Sequence, residues 1–305
     1  MIYNLTMPEL PEVENLRLGL ERSILNQKIK KVLVLKPKLV SGKGNKRQAS
    51  LKRRREFILG ITGEKFIKIE RRAKNLIFRL SNGKIILVHL KMSGQFVYKG
   101  AGNKKLISGG HPIELSEHRL PNKHTHVIFE LEKGTLYYND TRMFGYLLYY
   151  PNAKKFEAEK HFALYGLEPL SKEFTAKYFF NELKNKTGKI KAALMDQKIV
   201  TGLGNIYADE SLFEARIRPD RSASSLSHPE AEKLYKAITR ILKRAVKVGG
   251  SSVATYRLLD ATRGNYAREH KVYGKGKELC VNCAKPLAKT TIQGRTTIFC
   301  PNCQK

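Results

Sequence analysis

Apolar residues recur at helical spacing near the start of the chain. Val13, Leu16 and Leu20 follow Pro11, with Glu12 and Glu14 in the first turn and Arg22 near the end, which predicts a helix from Pro11 to about Ile24. The period then changes. Strand-like stretches are expected at Lys31–Leu35, Glu64–Glu70, Asn75–Leu80 and Lys84–Leu90, punctuated by turn signals such as Ser81-Asn82-Gly83. The pattern resumes at Val127–Leu131, Thr135–Asn139 and Tyr146–Tyr150, with Lys133-Gly134 as a turn. Between the first strands, the polar and basic section from Ser41 to Arg55 is expected to be a mobile loop. Many short strands behind a single helix predict a β-sandwich.

Past Pro151 helical patterns take over, at Lys154–Leu164, Thr175–Leu183 and Lys189–Asp196. The loop Gln197-Lys198-Ile199-Val200-Thr201-Gly202-Leu203-Gly204 leads to Asn205, the expected N-cap of a helix over Ile206–Glu214. Glycines beside a helix start offer free N–H groups to a phosphate, although an ordinary inter-helix turn has the same look. Ser227-His228-Pro229-Glu230 reads as a capping box opening a long helix that ends at Gly249-Gly250. The chain is thus expected to be α+β and multidomain: a leader over 1–7, an N-terminal helix and β-sandwich over 8–150, a helical domain over 151–270, and a small module over 271–305.

That module holds all the cysteines, spaced Cys280-x2-Cys283-x16-Cys300-x2-Cys303. Paired C-x2-C knuckles suit one tetrahedral Zn2+ in a closed, structural site, and a hairpin between Lys285 and Phe299 would join them. Charge adds a partner. Lysine and arginine number 58 against 27 acids, a net charge of +31. Such an excess costs compactness through self-repulsion, so an anionic partner is expected, nucleic acid ahead of a membrane surface or a ribosome. No apolar run reaches the roughly 18 residues of a membrane span and no signal peptide is recognisable, which points to the cytoplasm or, in a eukaryote, to an organelle or the nucleus.

One dipeptide stands apart from these patterns. Excision of Met7 would expose Pro8 as a secondary amine, followed directly by the carboxylate of Glu9. An α-amino group has a pKa of roughly 7.7–8, against about 10.4 for lysine, so it is a nucleophile without burial. Pro11 and the acids after it are explained by helix initiation; Pro8-Glu9 is not.

Taken together the chain resembles the formamidopyrimidine-DNA glycosylase family. The resemblance rests on Pro8-Glu9-Leu10-Pro11-Glu12-Val13-Glu14, Arg71-Arg72-Ala73-Lys74, His89-Leu90-Lys91-Met92-Ser93-Gly94, Lys123-His124-Thr125-His126 and Asp140-Thr141-Arg142-Met143-Phe144-Gly145. It continues through the stretch from Met195 to Phe213, that from Arg218 to Ser225, Val272-Tyr273-Gly274 and the cysteine tail. It runs in order over nearly everything from Met7 onward and is poorest in the basic section from Ser41 to Arg55.

The resemblance implies a helix–two-turn–helix DNA-binding domain, a zinc-finger β-hairpin, and a monomer acting on double-stranded DNA that contains oxidised bases. It implies excision of oxidised purines, with Pro8 as nucleophile, Glu9 handling the proton at the opening sugar ring, and strand cleavage by β,δ-elimination through a Schiff base. Lys74 and Arg295 match the pair that grips the departing phosphates. Met92, Arg142 and Phe144 match the side chains that fill the gap left by an extruded nucleotide, and His124, Lys186 and Asn205 match DNA contacts. Glu12 matches a second acid near the site, His89 is expected to be structural, and the stretch from Gly249 to Tyr266 is long enough for a lesion-capping loop. Met143 departs from the Arg usual between the two void-filling residues. Two alternatives remain: an endonuclease VIII-like enzyme for oxidised pyrimidines, or an inactive DNA-binding homologue if the leader stays attached. An attached leader would make the Pro8 nitrogen an amide, so translation is expected to begin at Met7, with Met7 then removed.

Overall fold

The computed structural model describes residues 7–44, 46–101, 106–110, 120–251 and 264–305. The expected leader before Met7 and most of the expected lesion-capping stretch lie outside the described residues. The chain divides into two compact units, Met1–His161 with Gly249–Asn265 and Phe162–Val248 with Tyr266–Lys305.

The first unit opens on α1 (Leu10–Ile24), capped by Glu9, with Pro11 in its first turn where a missing N–H costs nothing. Its strands are β1 (Ile29–Val34), β2 (Phe66–Arg72), β3 (Asn75–Leu80), β4 (Ile85–His89), β5 (Gly94–Gly100), β6 (Leu106–Gly110), β7 (Thr125–Leu131), β8 (Gly134–Asp140) and β9 (Tyr146–Tyr150). They form two antiparallel sheets, ordered β1-β7-β8-β5-β6 and β2-β3-β4-β9.

The period of two decides which side chains meet. Val127, Phe129 and Leu131 of β7, Phe96 and Tyr98 of β5, Leu136 and Tyr138 of β8 and Leu76, Phe78 and Leu80 of β3 all enter the main core. The intervening Val97, Ile128 and Tyr137 form a separate outer cluster. Val13, Leu16, Leu20 and Ile24 add one stripe of α1 to the main core. Edge-on aromatic pairs, Phe66 with Phe78 at 5.6 Å and Phe96 with Tyr138 at 5.1 Å, rigidify it.

The expected basic loop is only partly a loop. A second helix, α2 (Leu51–Ile61), begins inside it, and the Ser50 side chain caps it by accepting from Arg53 N at 3.2 Å. The bases Lys52 to Arg55 are exposed on its first turn, while Phe57 and Ile61 enter the sandwich core. Burial of that short apolar stripe outweighs the mutual repulsion of the solvated charges. After β9, α3 (Ala153–Ala158) is shorter than the expected helix; Lys160 lies in the left-handed region at φ 46°, which ends the turn.

The second unit contains α4 (Ala176–Leu183), α5 (Ile190–Met195), α6 (Asn205–Ala215) and α7 (His228–Lys247). The capping box of α7 is present, with Ser227 N donating to Glu230 Oε2 at 2.8 Å. Leu234, Ile238, Ile241, Leu242 and Ala245 give this helix its buried stripe. Asn205 is not the cap expected of it: Gly204 is the N-cap and Asn205 the first helical residue. The unit ends in an antiparallel hairpin, β10 (Ala288–Ile292) and β11 (Arg295–Phe299). Among the described residues no helix is long and apolar enough to cross a membrane.

Candidate active site and nucleic-acid interface

Pro8 and Glu9 are buried at the mouth of α1. The Glu9 N–H donates to Glu12 Oε2 at 2.9 Å, and the other oxygen of Glu12 accepts Ser251 N at 2.7 Å. One carboxylate, itself buried, thereby ties the candidate nucleophilic segment to the start of the stretch expected to cap the lesion. Gly250 leaves room for this contact: a Cβ there would lie 2.7 Å from Glu12 Oε1, and its φ of +79° is one that favours glycine.

Met92, Arg142 and Phe144 arrive from two loops and form one group. The Arg142 guanidinium lies 4.6 Å from the Phe144 ring centroid, and its Nη1 is 3.2 Å from Met92 Sδ. Arg142 is exposed, the other two half-buried. The loop that carries Arg142 and Phe144 is folded around a fully buried acid, Asp140, which accepts Arg142 N at 3.2 Å and Gly145 N at 2.7 Å and is bonded by the Ser93 hydroxyl. Ser93 follows Met92, so Asp140 also joins the two loops. Met143 is left-handed, at φ 53°, and packs against the sandwich core rather than beside Arg142.

Sequence reasoning passed over Arg47, which reaches this loop from the basic section. Its Nη2 donates to the carbonyls of Met143, at 3.1 Å, and Gly145. The rest of the guanidinium bonds Lys38 O at 2.8 Å and Gly44 O at 2.6 Å. A basic-run signal had no means of separating this arginine from its solvated neighbours.

Lys74 occupies the two-residue turn between β2 and β3, after left-handed Ala73 at φ 52°. His89 is strand partner to Asn75, next along, and its Nδ1 accepts Lys91 N at 2.9 Å. Burial first, then the charges of Lys91, Lys74 and Lys43, holds His89 well below its usual pKa. His124, half-buried, lends its carbonyl to Asp140 N at 3.0 Å and so adjoins the same loop. Burial, aided by Lys123 and His126, lowers its pKa as well.

In the second unit, exposed Lys186 and Gln293 of the hairpin turn line one cleft of about 480 Å³, with Asp196 on its wall. The turn residues Gln293 and Gly294, at φ 47° and 68°, present Arg295 at the start of β11, exposed. Asn205 Nδ2 donates to the carbonyl of the following Thr296 at 3.1 Å. Lys191 reaches the same strand from α5: its Nζ bonds Thr296 O at 3.1 Å and Thr297 Oγ1 at 2.7 Å and pairs with Asp209 at 2.7 Å. Both partners are buried, and burial pushes the Asp209 carboxyl up while Lys191 pulls it back. Glu210 anchors the module's other end by accepting the N–H groups of Lys271, Val272 and Tyr273 at 2.8–3.0 Å.

The thiols of Cys280, Cys283, Cys300 and Cys303 lie within 4.8 Å of one another. Cys280 and Cys303 are 3.8 Å apart and Cys283 and Cys300 3.6 Å. A tetrahedral ion with metal–sulfur bonds of about 2.3 Å requires sulfurs about 3.8 Å apart, so the four are positioned to bind one metal ion.

The family model described as formamidopyrimidine-DNA glycosylase N-terminal domain matches residues 7–147, and that for the H2TH domain of the same enzyme matches 165–257. The formamidopyrimidine-DNA glycosylase of Desulfitobacterium hafniense is 39% identical over 298 residues, covering 98% of this chain and 100% of its own. That of Listeria monocytogenes is 39% identical over 300 residues, again covering 98% and 100%. Among solved structures, a Lactococcus lactis Fpg variant in complex with DNA containing Fapy-dG superposes with a TM-score of 0.83 at 33% identity, covering 98% of this chain and 100% of that one. The wild-type Lactococcus lactis protein with DNA containing an oxidised pyrimidine gives 0.81 at 32% identity, with the same coverage. With its helix-capped Pro8-Glu9, its grouped Met92, Arg142 and Phe144 and its cysteine-bound hairpin, the chain belongs to the formamidopyrimidine-DNA glycosylase family of DNA-repair glycosylases.

Proposed function

We propose that this DNA glycosylase is also an abasic-site lyase, removing formamidopyrimidines and 8-oxoguanine from double-stranded DNA and cutting the strand by β,δ-elimination through a Schiff base on Pro8. It would act as a monomer in the bacterial cytoplasm, with one structural Zn2+ in the cysteine site. The observation that carries the reading is the grouping of Met92, Arg142 and Phe144, with the guanidinium 4.6 Å from the aromatic ring. Extruding a nucleotide costs a few kcal/mol of stacking and pairing, and an apolar wedge, an aromatic plane and a cation for the orphaned base offset it.

In this reading the Pro8 nitrogen forms a bond to C1′ of the extruded nucleotide. The bond from C1′ to the base breaks, and its electron pair departs with the base. Glu9 supplies a proton to the ring oxygen as the sugar opens. A secondary amine leaves a cationic iminium at C1′, which acidifies C2′. Loss of the C2′ proton expels the 3′ phosphate, loss of a second proton, from C4′, expels the 5′ phosphate, and water releases the amine. Lys74 and Arg295 stabilise the charge on the two departing phosphates. His124, Lys186 and Asn205 contact the DNA backbone and set the register.

The nucleophile must be an amine, so the active enzyme is proposed to begin at Pro8; the family match starting at residue 7 supports this. Borohydride trapping on duplex DNA with 8-oxoguanine opposite cytosine tests it. Protein beginning at Pro8 is expected to cross-link and to leave phosphates at both ends of the gap, while protein retaining residues 1–7 does neither. Equal trapping of both forms would refute Pro8, and no trapping of either would favour an inactive DNA-binding homologue.

A second reading has its own support. The Lactococcus lactis protein has been captured with an oxidised pyrimidine, so the substrate range here is proposed to extend to such bases at lower efficiency. Excision of thymine glycol faster than 8-oxoguanine from matched duplexes would reverse that order.

A further inference from the structure

We propose that Arg47 is a positioning residue for base extrusion: it fixes the backbone on both sides of Phe144, so that the ring and the neighbouring Arg142 are presented to DNA already in place. The proposal rests on the reading of Met92, Arg142 and Phe144 as void-filling residues. It goes beyond it by assigning a role to the basic section from Ser41 to Arg55, the part of the chain where the family resemblance is poorest.

Phe144 and Arg142 sit on the connection from β8 to β9, and a connection of this kind keeps its shape only if its backbone groups are satisfied. Asp140 satisfies the donors, Arg142 N and Gly145 N. It does nothing for the carbonyls. Arg47 takes those: one nitrogen, Nη2, donates to Met143 O and Gly145 O, the carbonyls directly before and after Phe144. Its Nε and Nη1 are spent on Lys38 O and Gly44 O, which fasten the basic section to the same point. The four acceptors come from two segments about a hundred residues apart in sequence and are bridged by one planar group. Arginine does this and lysine does not, because an ammonium has one nitrogen and no fixed spread of donors. The half-buried guanidinium is thus committed to main-chain oxygens, unlike Lys52, Arg53, Arg54 and Arg55, which are exposed on α2. Met143 needs such a hold, since a left-handed φ of 53° in a non-glycine residue is conformationally costly and persists only where neighbours enforce it.

The test compares Arg47→Lys and Arg47→Met with the parent enzyme in three measurements. Single-turnover excision of 8-oxoguanine opposite cytosine requires extrusion from an intact stack. Cleavage at a preformed abasic site requires the same lyase chemistry with no base to extrude. Fluorescence of 2-aminopurine beside the lesion reports insertion of the wedge directly. A misplacement of about 1 Å at such a group costs up to about a hundredfold in rate. Both variants are therefore expected to lose roughly ten- to a hundredfold in excision and to slow the 2-aminopurine step by the same factor, while abasic-site cleavage stays within about threefold. The salt slope of DNA affinity is expected to be unchanged.

Full excision by Arg47→Lys would overturn the proposal, because a charge alone would then suffice. A fall of about one in the salt slope for Arg47→Met would also overturn it, since Arg47 would then be a phosphate contact. Equal losses on the lesion and the abasic site would assign the effect to general destabilisation. Phe144→Ala and Met92→Ala, run alongside, separate this idea from the one beneath it. If they leave the 2-aminopurine step untouched, the void-filling reading fails whatever Arg47 does; if they abolish it and the Arg47 variants do not, only the positioning role fails.

Discussion

Gly145 closes the loop that carries Arg142 and Phe144, and the structure gives the reason for glycine there. Its φ is not in the left-handed region, so the requirement is space alone. A Cβ at this position would overlap the Tyr138 hydroxyl outright and lie 3.0 Å from both Asp140 Oδ2 and the His89 carbonyl oxygen. Relief demands a shift on the order of 1 Å, measured against ordinary contact distances. Tyr138 cannot supply it: it is fully buried, and its ring packs at 5.1 Å on Phe96 in the middle of the core. The loop must lift instead, loosening the Gly145 N–H bond to Asp140 and the Arg47 bonds around Phe144. Overpacking costs about 1–3 kcal/mol and a weakened buried hydrogen bond about 1 kcal/mol more. Gly145→Ala is therefore expected to lose about 2–4 kcal/mol, a fall of roughly 5–10 °C in the melting of the first unit. Moving the wedge by the same distance should cost up to about a hundredfold in excision from a paired duplex. The decisive assay is a double-mutant cycle read by both melting and single-turnover excision, with Tyr138→Phe as the second change. Removing the hydroxyl removes the nearest obstacle, so the double variant should recover part of both losses, with a coupling of about 0.5–3 kcal/mol. An unchanged melting temperature for Gly145→Ala, or additive losses in the double variant, would refute the steric account.

Three further outcomes are expected. If about six to ten phosphates are engaged by this chain of net charge +31, DNA affinity measured by anisotropy should fall by roughly 10³–10⁵ between 50 and 200 mM salt; a flat dependence would remove the groove-binding reading. His270 is held neutral, its pKa lowered to about 4 by burial and then by Lys275, so below about 6.5 the unfolded chain gains a proton that the folded one refuses. Stability of the second unit should be complete above pH 6.5 and fall by up to about 3 kcal/mol as pH drops to 4, and melting of His270→Gln should show a shallower slope. Cys283→Ser, or a strong chelator, should release the one bound metal ion, proposed to be Zn2+, and unfold the module after Lys271 while the first unit's melting is preserved; activity and melting that survive metal loss would refute a structural role for the ion.

The sequence made the architecture legible wherever the hydrophobic period was long and its ends were marked. α1, α7 with its capping box, and the strands from β2 to β4 lie within two or three residues of their expected limits, because burial of a regular stripe dominates each one. The departures share a cause in charge and glycine. Lys52 to Arg55 masked a helix whose only buried residues are Phe57 and Ile61. β5 begins on Gly94 and ends on Gly100, so its alternation of Phe96, Val97 and Tyr98 was too short to stand out. Asn205 has the chemistry of a cap but sits one residue inside the helix, with its amide turned to Thr296. The grouping of Met92 with Arg142 and Phe144 was implied by resemblance, whereas nothing in the sequence pointed to Asp140, Arg47 or the Lys191–Asp209 pair as supports. Side chains that act by bonding distant main chain leave no periodic trace.

Backbone conformation offers an independent check on which residues those supports serve. A left-handed residue other than glycine costs roughly 1–2 kcal/mol and so needs a reason. In this chain such residues stand immediately before Lys74, Met92 and Phe144, at Ala73, Lys91 and Met143, and Gln293 stands two before Arg295. Each stands in a short connection between two strands. The cost is borne where neighbours over-determine the turn: Asp140, Arg47 and core packing around Met143, the His89 ring accepting the Lys91 N–H, and the ladder pair Arg72–Asn75 across the Ala73 turn. Strain of this kind accumulates at sites held ready for a ligand. Four of the nine left-handed non-glycine residues among the described residues thus stand within two positions of a residue proposed to meet DNA or its phosphates, whereas Asn26, Asn82, Lys160, Arg216 and Ala284 lie elsewhere.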